Sequence, residues 1–434
     1  MNTVTPEAGS AATAPAPDAT PEVWRIPNFR RLWVGSTVSW FGSEIGELAL
    51  PLLALVTLSA SAAQLGVLRA AQFLPFLLAT LPLGVLVDRC RRRPLMIGAD
   101  GGRFLLVATI PIAVWAGLAG MELLYVIAFL TGILTVLYQL ADFAFLPRVV
   151  RPEQLVDANG RLAASQSAAE ISGKGIGGLI VQALSAPVAV LADALSYLAS
   201  AVNLLRLRLT EPVPAPHSDP ARSPWREARD GVRVVVRNRY VRPLLGEATT
   251  FNLFNEVFIL GLLLYAVRDL GLNPAQLGLV FTAGGVGSFL GAWFGARVTG
   301  RFGYGRVLLA TLILGNTAPV ATLLPATTPA PALIVLGSSF LLIGIGTGIA
   351  NVHAVSLRQT AIPDRLHGRV NAGYRLISWG AIPIGATAGG LLAVQLGGHA
   401  AMAVGALGIP LATLWVAVSP VPRLTSIRDV AAVA

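Results

Sequence analysis

The sequence predicts an all-α membrane protein in which twelve transmembrane helices form two parallel-repeat six-helix bundles. Of its 434 residues, 54% are hydrophobic and only 12% are charged, whereas an ordinary soluble domain has about 25% charged residues. The hydrophobic residues fall into long runs, and a helix needs about 20 of them to cross a bilayer. Because these runs are continuous rather than alternating, they favour helices over the strands of a barrel.

Twelve apolar runs are long enough to cross a bilayer. They cover residues 32–57, 65–86, 95–118, 121–146, 158–184, 186–206, 243–267, 276–299, 307–325, 332–356, 370–396 and 399–419. The longest connection holds a Pro-rich linker and a basic amphipathic segment, which we expect on the membrane surface. The predicted organisation is a disordered cytoplasmic tail (1–28), a first bundle (29–206), this cytoplasmic linker (207–242), a second bundle (243–420) and a cytoplasmic tail (421–434).

The arginines predict the orientation of the chain. Twenty-seven lie in the two tails and in alternate connections, and Arg268 alone lies on the other side. By the positive-inside rule, both termini and the linker face the cytoplasm. High arginine usage with a single lysine hints at a GC-rich bacterial source, and we therefore expect a bacterial inner membrane. This asymmetry and contact with anionic lipids account for the net charge of +10, so we expect no nucleic-acid partner.

The two halves repeat the same landmarks at a nearly constant offset. PEQLVDAN begins at Pro152 and PDRLHGRVN begins 211 residues later at Pro363, while Gly-Gly-Leu follows 18 residues after both Asn159 and Asn371. Six spans and a linker return the chain to the same side, so the halves form a parallel repeat that can rock about a central site. Tight packing of helices explains the paired glycines equally well.

The connection between the second and third spans is densely charged and reads GVLVDRCRRRPL. Its pattern, Gly84-x-x-x-Asp88-Arg89-x-x-Arg92-Arg93, resembles motif A of the major facilitator superfamily. Other stretches, among them LPRVVRPEQLVDAN and NAGYRLISWGAIPIGATAGGLL, are similar to the branch of the enterobactin exporter and macrolide-type efflux proteins. The resemblance covers the chain outside its two tails and implies secondary export of small organic molecules.

The resemblance implies a cytoplasmic gate at this connection. Asp88 would face the N-terminal dipole of the eleventh span, and Arg92 could pair with Asp142 near the end of the fourth. Gly84 and Arg89 complete the predicted gate. The simpler alternative is that the arginines only fix the orientation of the chain.

Two features depart from the family pattern. The fourth span has no arginine where motif B has one, and the antiporter motif reads GKGIGG over residues 173–178. Lys174, the only lysine in the sequence, therefore stands where proline is expected. Both departures weaken the transfer of a proton-antiport mechanism to this chain.

Ionisable side chains inside the predicted spans cost a few kcal/mol each to bury, so each is a functional candidate. Glu44 and Glu47 share one face of the first span, and two carboxylates this close in a low dielectric favour proton uptake. Glu256 lies near the centre of the seventh span. Glu170 and Lys174 are spaced i, i+4 and form either a structural pair or part of the site. For Glu44 and Glu256, a buried and hydrogen-bonded acid is the alternative.

The resemblance implies that the first and seventh spans line a central cavity. Residues of these spans that we expect to contact substrate are Trp40, Phe41, Asn252, Phe254 and Asn255. Arg69, in the second span, either gates the outer mouth of the cavity or has only a structural role, packed among hydrogen-bonding partners. Aromatic and acidic walls favour a neutral or cationic substrate with apolar surface.

No pattern indicates an enzyme, a cofactor or a metal site, since the four histidines are scattered and no phosphate-binding loop is present. The sequence predicts a monomeric secondary transporter that exports small, partly apolar molecules in exchange for protons. A siderophore exporter or a nutrient importer of the same fold is the first alternative. A non-transporting sensor or scaffold is the alternative from another class.

Glu44→Gln is expected to abolish proton-dependent transport while leaving the amount of protein in the membrane intact, because an amide cannot carry the proton. Transport assays with and without an uncoupler check this, and unchanged transport by the variant would remove Glu44 from the coupling mechanism.

Overall fold

The computed structural model describes residues 23–151, 154–209, 211, 224–324, 328–362 and 366–427. Within these residues the regular structure is helical. The α-helices are α1 (Pro27–Leu52), α2 (Ala62–Leu78), α3 (Thr80–Arg89), α4 (Arg92–Trp115), α5 (Met121–Val149), α6 (Leu155–Ala183), α7 (Ala186–Leu205), α8 (Pro224–Arg237), α9 (Val241–Leu264), α10 (Pro274–Phe302), α11 (Tyr304–Thr317), α12 (Pro329–Thr360), α13 (His367–Leu396) and α14 (Gly398–Ala417). Most of the two predicted tails, residues 1–22 and 428–434, and much of the linker lie outside the described residues.

The helices correspond to the twelve predicted spans, with α8 as an additional helix in the linker. Ten described helices are long and apolar enough to cross a membrane, or eleven if the bent pair of α2 and α3 is one span. The twelfth, α6, has 29 residues, but Glu170, Lys174 and several small polar residues lower its hydropathy. α1–α7 form the first six-helix bundle and α9–α14 form the second.

The second span is broken rather than continuous. α2 and α3 meet at Ala79 with a bend of 51°. Pro75 and Pro82 flank this point, and each lacks the N–H that would continue the helical ladder. The Thr80 hydroxyl donates to the Phe76 carbonyl oxygen there, at 2.5 Å. α3 therefore leaves the axis of α2 before it reaches the charged connection.

The ends of the two bundles repeat each other in backbone detail. α1 and α9 both finish in a π-helical turn, at Leu53–Thr57 and Tyr265–Asp269. α2 and α10 both begin with a capping box, in which the side chain of Ser61 or Asn273 accepts from the backbone N–H three residues on. These features lie 212 positions apart, which supports the parallel repeat on structural grounds.

Glycines bring the two bundles into backbone contact along two seams, between α2 and α13 and between α6 and α10. A Cβ added at Gly66 would lie 3.1 Å from Gly390 Cα, and one added at Gly178 would lie 3.1 Å from Gly278 Cα. The two contacts are related by the repeat, since 212 positions separate Gly66 from Gly278 and Gly178 from Gly390. Small residues of this kind permit close helix approach within a membrane.

The apolar core shows which end of the molecule is closed. We call the end with the α3–α4 connection and α8 the arginine-rich end, and the other the opposite end. At the opposite end a single hydrophobic cluster includes Leu52 and Leu65 of the first bundle with Leu262 and Met402 of the second. At the arginine-rich end each bundle has a separate cluster. Among the described residues, the bundles therefore share an apolar core only at the opposite end.

Two further contacts involve the connections. Arg268, on the opposite end, donates to the Ala60 carbonyl oxygen of the other bundle. At the arginine-rich end, Val235 of α8 is fully buried in the core of the second bundle. α8 packs against α13, where its backbone passes Gly373 closely, so this linker helix is attached to the second bundle.

Gly178→Leu is expected to separate the bundles at the opposite end, because a side chain there would meet the Pro274 carbonyl oxygen at 2.3 Å. Spin labels at Leu118→Cys and Leu324→Cys, which are 79% and 59% exposed, in a Cys90→Ser background would report a longer distance. Gly160→Leu, on the same helix with no atom within 4 Å, serves as the control. An unchanged distance in Gly178→Leu would contradict the assigned seam.

Candidate functional site

Four helices from both bundles bring ionic side chains together at the centre of the molecule. The Lys174 ammonium of α6 lies 3.3 Å from a carboxylate oxygen of Glu44 and 3.3 Å from one of Glu47, both on α1. The chain can bring α6 this near because Gly173 leaves no side chain against Glu44, where a Cβ would lie 2.4 Å from the Glu44 Cβ. One cation thus bridges two acids of a neighbouring helix.

A second cation joins the two bundles. The Arg69 guanidinium of α2 donates twice to Glu256 of α9, at 3.1 and 3.3 Å, and lies 3.7 Å from a Glu47 oxygen. Glu256 is only 5% exposed. The planar fork of arginine matches two carboxylate oxygens at once, so this pair fixes the orientation of α2 relative to α9.

We call Glu44, Glu47, Arg69, Lys174 and Glu256 the central ion cluster. It contains three carboxylates and two cations, so with every group ionised its net charge is minus one. In a low dielectric an uncompensated charge is costly. The cluster is therefore neutral only when it holds one proton or one additional positive charge.

A cavity of about 270 Å³ opens beside the central ion cluster, between the bundles. Glu47, Arg69, Lys174 and Glu256 contribute its charged wall. The rest of the wall is largely apolar and includes Leu65, Asn255, Ile259, Leu263, Phe281 and Phe340. Apolar walls with a few convergent charges are typical of small-molecule sites, and this cavity suits a molecule with an apolar body and one polar or charged group.

The structure changes the predicted partner of Lys174. Its ammonium contacts Glu44 and Glu47 instead of Glu170, one turn away on the same helix. Glu170 instead accepts a hydrogen bond from Gln166 at 3.0 Å. Two acids on α1 attract the ammonium more strongly than one exposed acid on α6, because the exposed partner is screened by solvent.

The predicted cavity residues divide into two groups. Arg69 and Asn255 lie in the wall of the central cavity. Asn252 donates to the Ser378 carbonyl oxygen of α13 at 2.7 Å, and Phe254 packs onto Gly408 of α14 within its own bundle. Neither lines this cavity, and the half-buried Trp40 and Phe41 of α1 also lie outside its wall.

The predicted gate is arranged differently from the expectation. Arg92 does not pair with Asp142 among the described residues; its guanidinium lies 3.9 Å from Glu211. The Glu211 carboxylate also accepts from the backbone N–H groups of Arg92 and Arg93, at 2.9 and 3.1 Å. An acid at the start of α4 accepts hydrogen bonds from otherwise unpaired backbone N–H groups and interacts favourably with the helix dipole. This explains why Arg92 pairs with Glu211 and not with Asp142.

The remaining gate residues make few contacts. Arg89 is exposed, and a Cβ added at Gly84 would meet no atom within 4 Å. Asp88 lies in the last turn of α3, but its side chain lies outside the described residues. Asp142 lies on α5 in the electrostatic field of Asp100 and Arg103 on α4.

Sequence reasoning missed a buried ion pair in the first bundle. Asp100 and Arg103 of α4 contact each other and are 0% and 3% exposed. The Arg103 guanidinium also lies over the rings of Tyr138 and Tyr197, at 4.5 and 4.3 Å. Two opposite charges spaced i, i+3 inside an apolar run are a readable signal.

Comparison with known proteins identifies the family. The model of a family described as the Major Facilitator Superfamily matches residues 32–385 and 248–432. The chain belongs to the Major Facilitator Superfamily. It is therefore a multi-pass membrane transporter of a small-molecule substrate rather than an enzyme.

Relatives and solved structures agree with this assignment. The chain is 30% identical over 409 residues to multidrug efflux pump Tap of Mycolicibacterium fortuitum, covering 88% of this chain and 93% of the relative. It is 27% identical over 233 residues to macrolide efflux protein A of Streptococcus pyogenes, covering 52% and 56% of the two chains. A bacterial homologue of the iron transporter ferroportin, in an inward-facing state, has a TM-score of 0.69 at 17% identity, with 91% and 98% coverage. At that identity the structural likeness shows the fold alone.

Arg69→Gln and Glu256→Gln are each expected to lower the thermal stability of the purified protein. Arg69→Gln leaves the buried Glu256 without its partner, which costs about 3 to 5 kcal/mol, whereas Glu256→Gln costs less because Arg69 keeps Glu47 at 3.7 Å. The double variant is expected to be more stable than the sum of the two single losses predicts. Thermal unfolding in detergent measures all three.

Asp157→Asn provides the control, because its pair with Arg161 is 48% and 31% exposed and such a pair contributes no more than about 1 kcal/mol. Strictly additive losses for Arg69 and Glu256 would show that their contact contributes nothing.

Proposed function

We propose that this protein is a proton-coupled exporter of small, partly apolar monocations in the bacterial inner membrane. The arginine-rich end faces the cytoplasm in this proposal, because nearly all connection arginines lie there. The transporter acts as a monomer surrounded by lipid, and substrate crosses through the cavity beside the central ion cluster.

The excess carboxylate of the central ion cluster is the observation that carries the proposal. Three acids share two cations at 3.1 to 3.7 Å, so one proton or one monocation neutralises the group. Both ligands compensate the same negative charge, and binding of one therefore opposes binding of the other. Competition of this kind exchanges a proton for a cation across the membrane.

The apolar part of the cavity wall supports a substrate that has apolar surface as well as a positive charge. Phe281 and Phe340 line the same cavity as the charged side chains, and an aromatic face attracts a cation as well as apolar surface. The relatives named multidrug efflux pump Tap and macrolide efflux protein A support export over import, and organic molecules over inorganic ions.

Alternating access follows from the arrangement of the two bundles. The opposite end is closed by the glycine seams and a shared apolar core, so with the proposed orientation the cavity is shut off from the outside. The bundles, 29–206 and 243–420, would rock as units and open these seams. The Arg69–Glu256 pair joins the two bundles, so a change in charge at the cluster alters the attraction between them.

The gate at the cytoplasmic side belongs to the same proposal. Asp88 at the end of α3 would meet the start of α13 when the arginine-rich end closes. Glu211 holds the start of α4 to the linker through Arg92 and Arg93. The α3–α4 connection and the linker at Glu211 therefore move together, while α8, farther along the linker, moves with the second bundle.

Cells that express the protein are expected to extrude the lipophilic monocation ethidium, and an uncoupler that collapses the proton gradient is expected to stop extrusion. Glu47→Gln should reduce extrusion to the level of cells without the protein, because Glu47 contacts both cations of the cluster. Ethidium fluorescence in loaded cells measures both effects.

Asp269→Asn, at the end of α9 and away from the cluster, is the matched control and should extrude ethidium normally. Accumulation of ethidium instead of extrusion would support an importer of the same fold. Extrusion that continues after the gradient collapses would contradict proton coupling.

A further inference from the structure

A buried acid of the first bundle lies outside the central ion cluster. Asp193 of α7 is 7% exposed, and within the described part of the chain its Oδ1 atom has no hydrogen-bond partner. Gly42 and Gly46 of α1 make room for this carboxyl, since a Cβ at Gly46 would lie 2.2 Å from Asp193 Oδ2 and one at Gly42 would lie 3.2 Å from Oδ1. α1 therefore provides a notch that fits the acid.

A second cavity of about 280 Å³ connects this notch to the central ion cluster. Asp193 and Tyr197 lie in its wall, as do Glu47 and Arg69, which also line the central cavity. Further polar groups along the wall are Ser43, Gln72, Thr131, Thr135 and Gln139. Apolar side chains, among them Phe73, Ile110 and Ile127, form the rest of the wall, and a cavity of this size with polar groups along it has room for several water molecules.

The charged and titratable groups around Asp193 leave it without an ionic partner. From α4, the charge of Arg103 is matched by Asp100, with which it is in direct contact. From α7, the Tyr197 hydroxyl neighbours the carboxyl and is 3.1 Å from Ser43 Oγ of α1. Tyr138 and Asp142 of α5 lie beyond Arg103. No group within ion-pairing distance compensates an ionised Asp193 among the described residues.

We propose that the Asp193 carboxyl is a second proton-binding site of the transporter, which exchanges its proton with Glu47 through the cavity of the first bundle. An unpaired carboxylate in a buried site is costly, so Asp193 holds a proton in this conformation. When Glu47 loses its compensating cation, the O–H bond at Asp193 breaks and an O–H bond forms at Glu47, with cavity water carrying the proton between them. The inference rests on proton coupling as proposed above.

The site also gives the two bundles separate tasks. Asp193, Tyr197 and the Asp100–Arg103 pair all lie in the first bundle, and the described residues that line this cavity belong to α1, α2, α4, α5 and α7. The second bundle contributes Glu256, Phe281 and Phe340 to the central cavity. Proton storage thus resides in the first bundle, while substrate contacts come from both.

Infrared titration of the purified protein tests the proposal without transport. The carbonyl band of a protonated buried carboxyl is expected in the wild type and in Glu47→Gln, and one component of it should be lost in Asp193→Asn. Gly46→Ala, which removes no titratable group, should shift that component because its methyl group displaces Asp193. Identical bands in the wild type and Asp193→Asn would overturn the proposal.

Transport in proteoliposomes provides the second readout. Asp193→Asn is expected to reduce ethidium extrusion driven by a pH gradient at least about tenfold, with ethidium binding at equilibrium unchanged. Asp157→Asn, an exposed acid on α6, is the control and should transport normally. Undiminished extrusion by Asp193→Asn would also overturn the inference.

The same experiments separate the two proposals. If the wild type extrudes ethidium without any need for a pH gradient, the proposed coupling fails, whatever the infrared titration shows at Asp193. If wild-type extrusion needs the gradient and Asp193→Asn behaves like the wild type, coupling stands and only the role of Asp193 falls.

Discussion

Electroneutrality in a low-dielectric interior governs the arrangement of the central helices. Lys174 approaches two acids of α1, and Arg69 approaches one acid on each side of the bundle interface. Isolated, each of these charges would cost several kcal/mol at membrane depth, so the four helices that carry them are held in one relative rotation. The excess of one carboxylate makes that arrangement responsive to the arrival of a positive charge.

Backbone contact between glycines determines where the two bundles meet. At Gly66, Gly178, Gly278 and Gly390 the chains approach until a methyl group would collide. Such contacts involve no long side chains that would have to rearrange when the helices separate. Dispersion attraction between the two backbones also disappears once they move apart by a small distance. The seams can therefore separate and close again without rearranging side chains. We expect the charge state of the central ion cluster to control when they do so.

Hydropathy and internal repetition predicted the fold. Long apolar runs must cross the bilayer as helices, and the repeat shows that the two halves share one arrangement. The side-chain partners were harder to predict. Lys174 pairs with acids of α1 and not with Glu170, and Arg92 pairs with Glu211 and not with Asp142. A helix with apolar residues on every face carries no periodic signal that fixes its rotation, so contacts between helices cannot be read from spacing. The bend at Ala79 was not predicted, since the second span was expected to run unbroken over residues 65–86, although Pro75 and Pro82 flank that point in the sequence.

The composition of the chain has a chemical consequence at Lys174. It is the only lysine of 434 residues, and its side chain is 25% exposed beside the central cavity. Apart from the chain's own amino terminus, the only primary amine available to an acylating reagent therefore lies in the wall of the central cavity. Because acylation needs the neutral amine and Lys174 is ion-paired with Glu44 and Glu47, a small amine-reactive reagent modifies this side chain only when the cavity admits the reagent and the ion pairs open, with no engineered probe required.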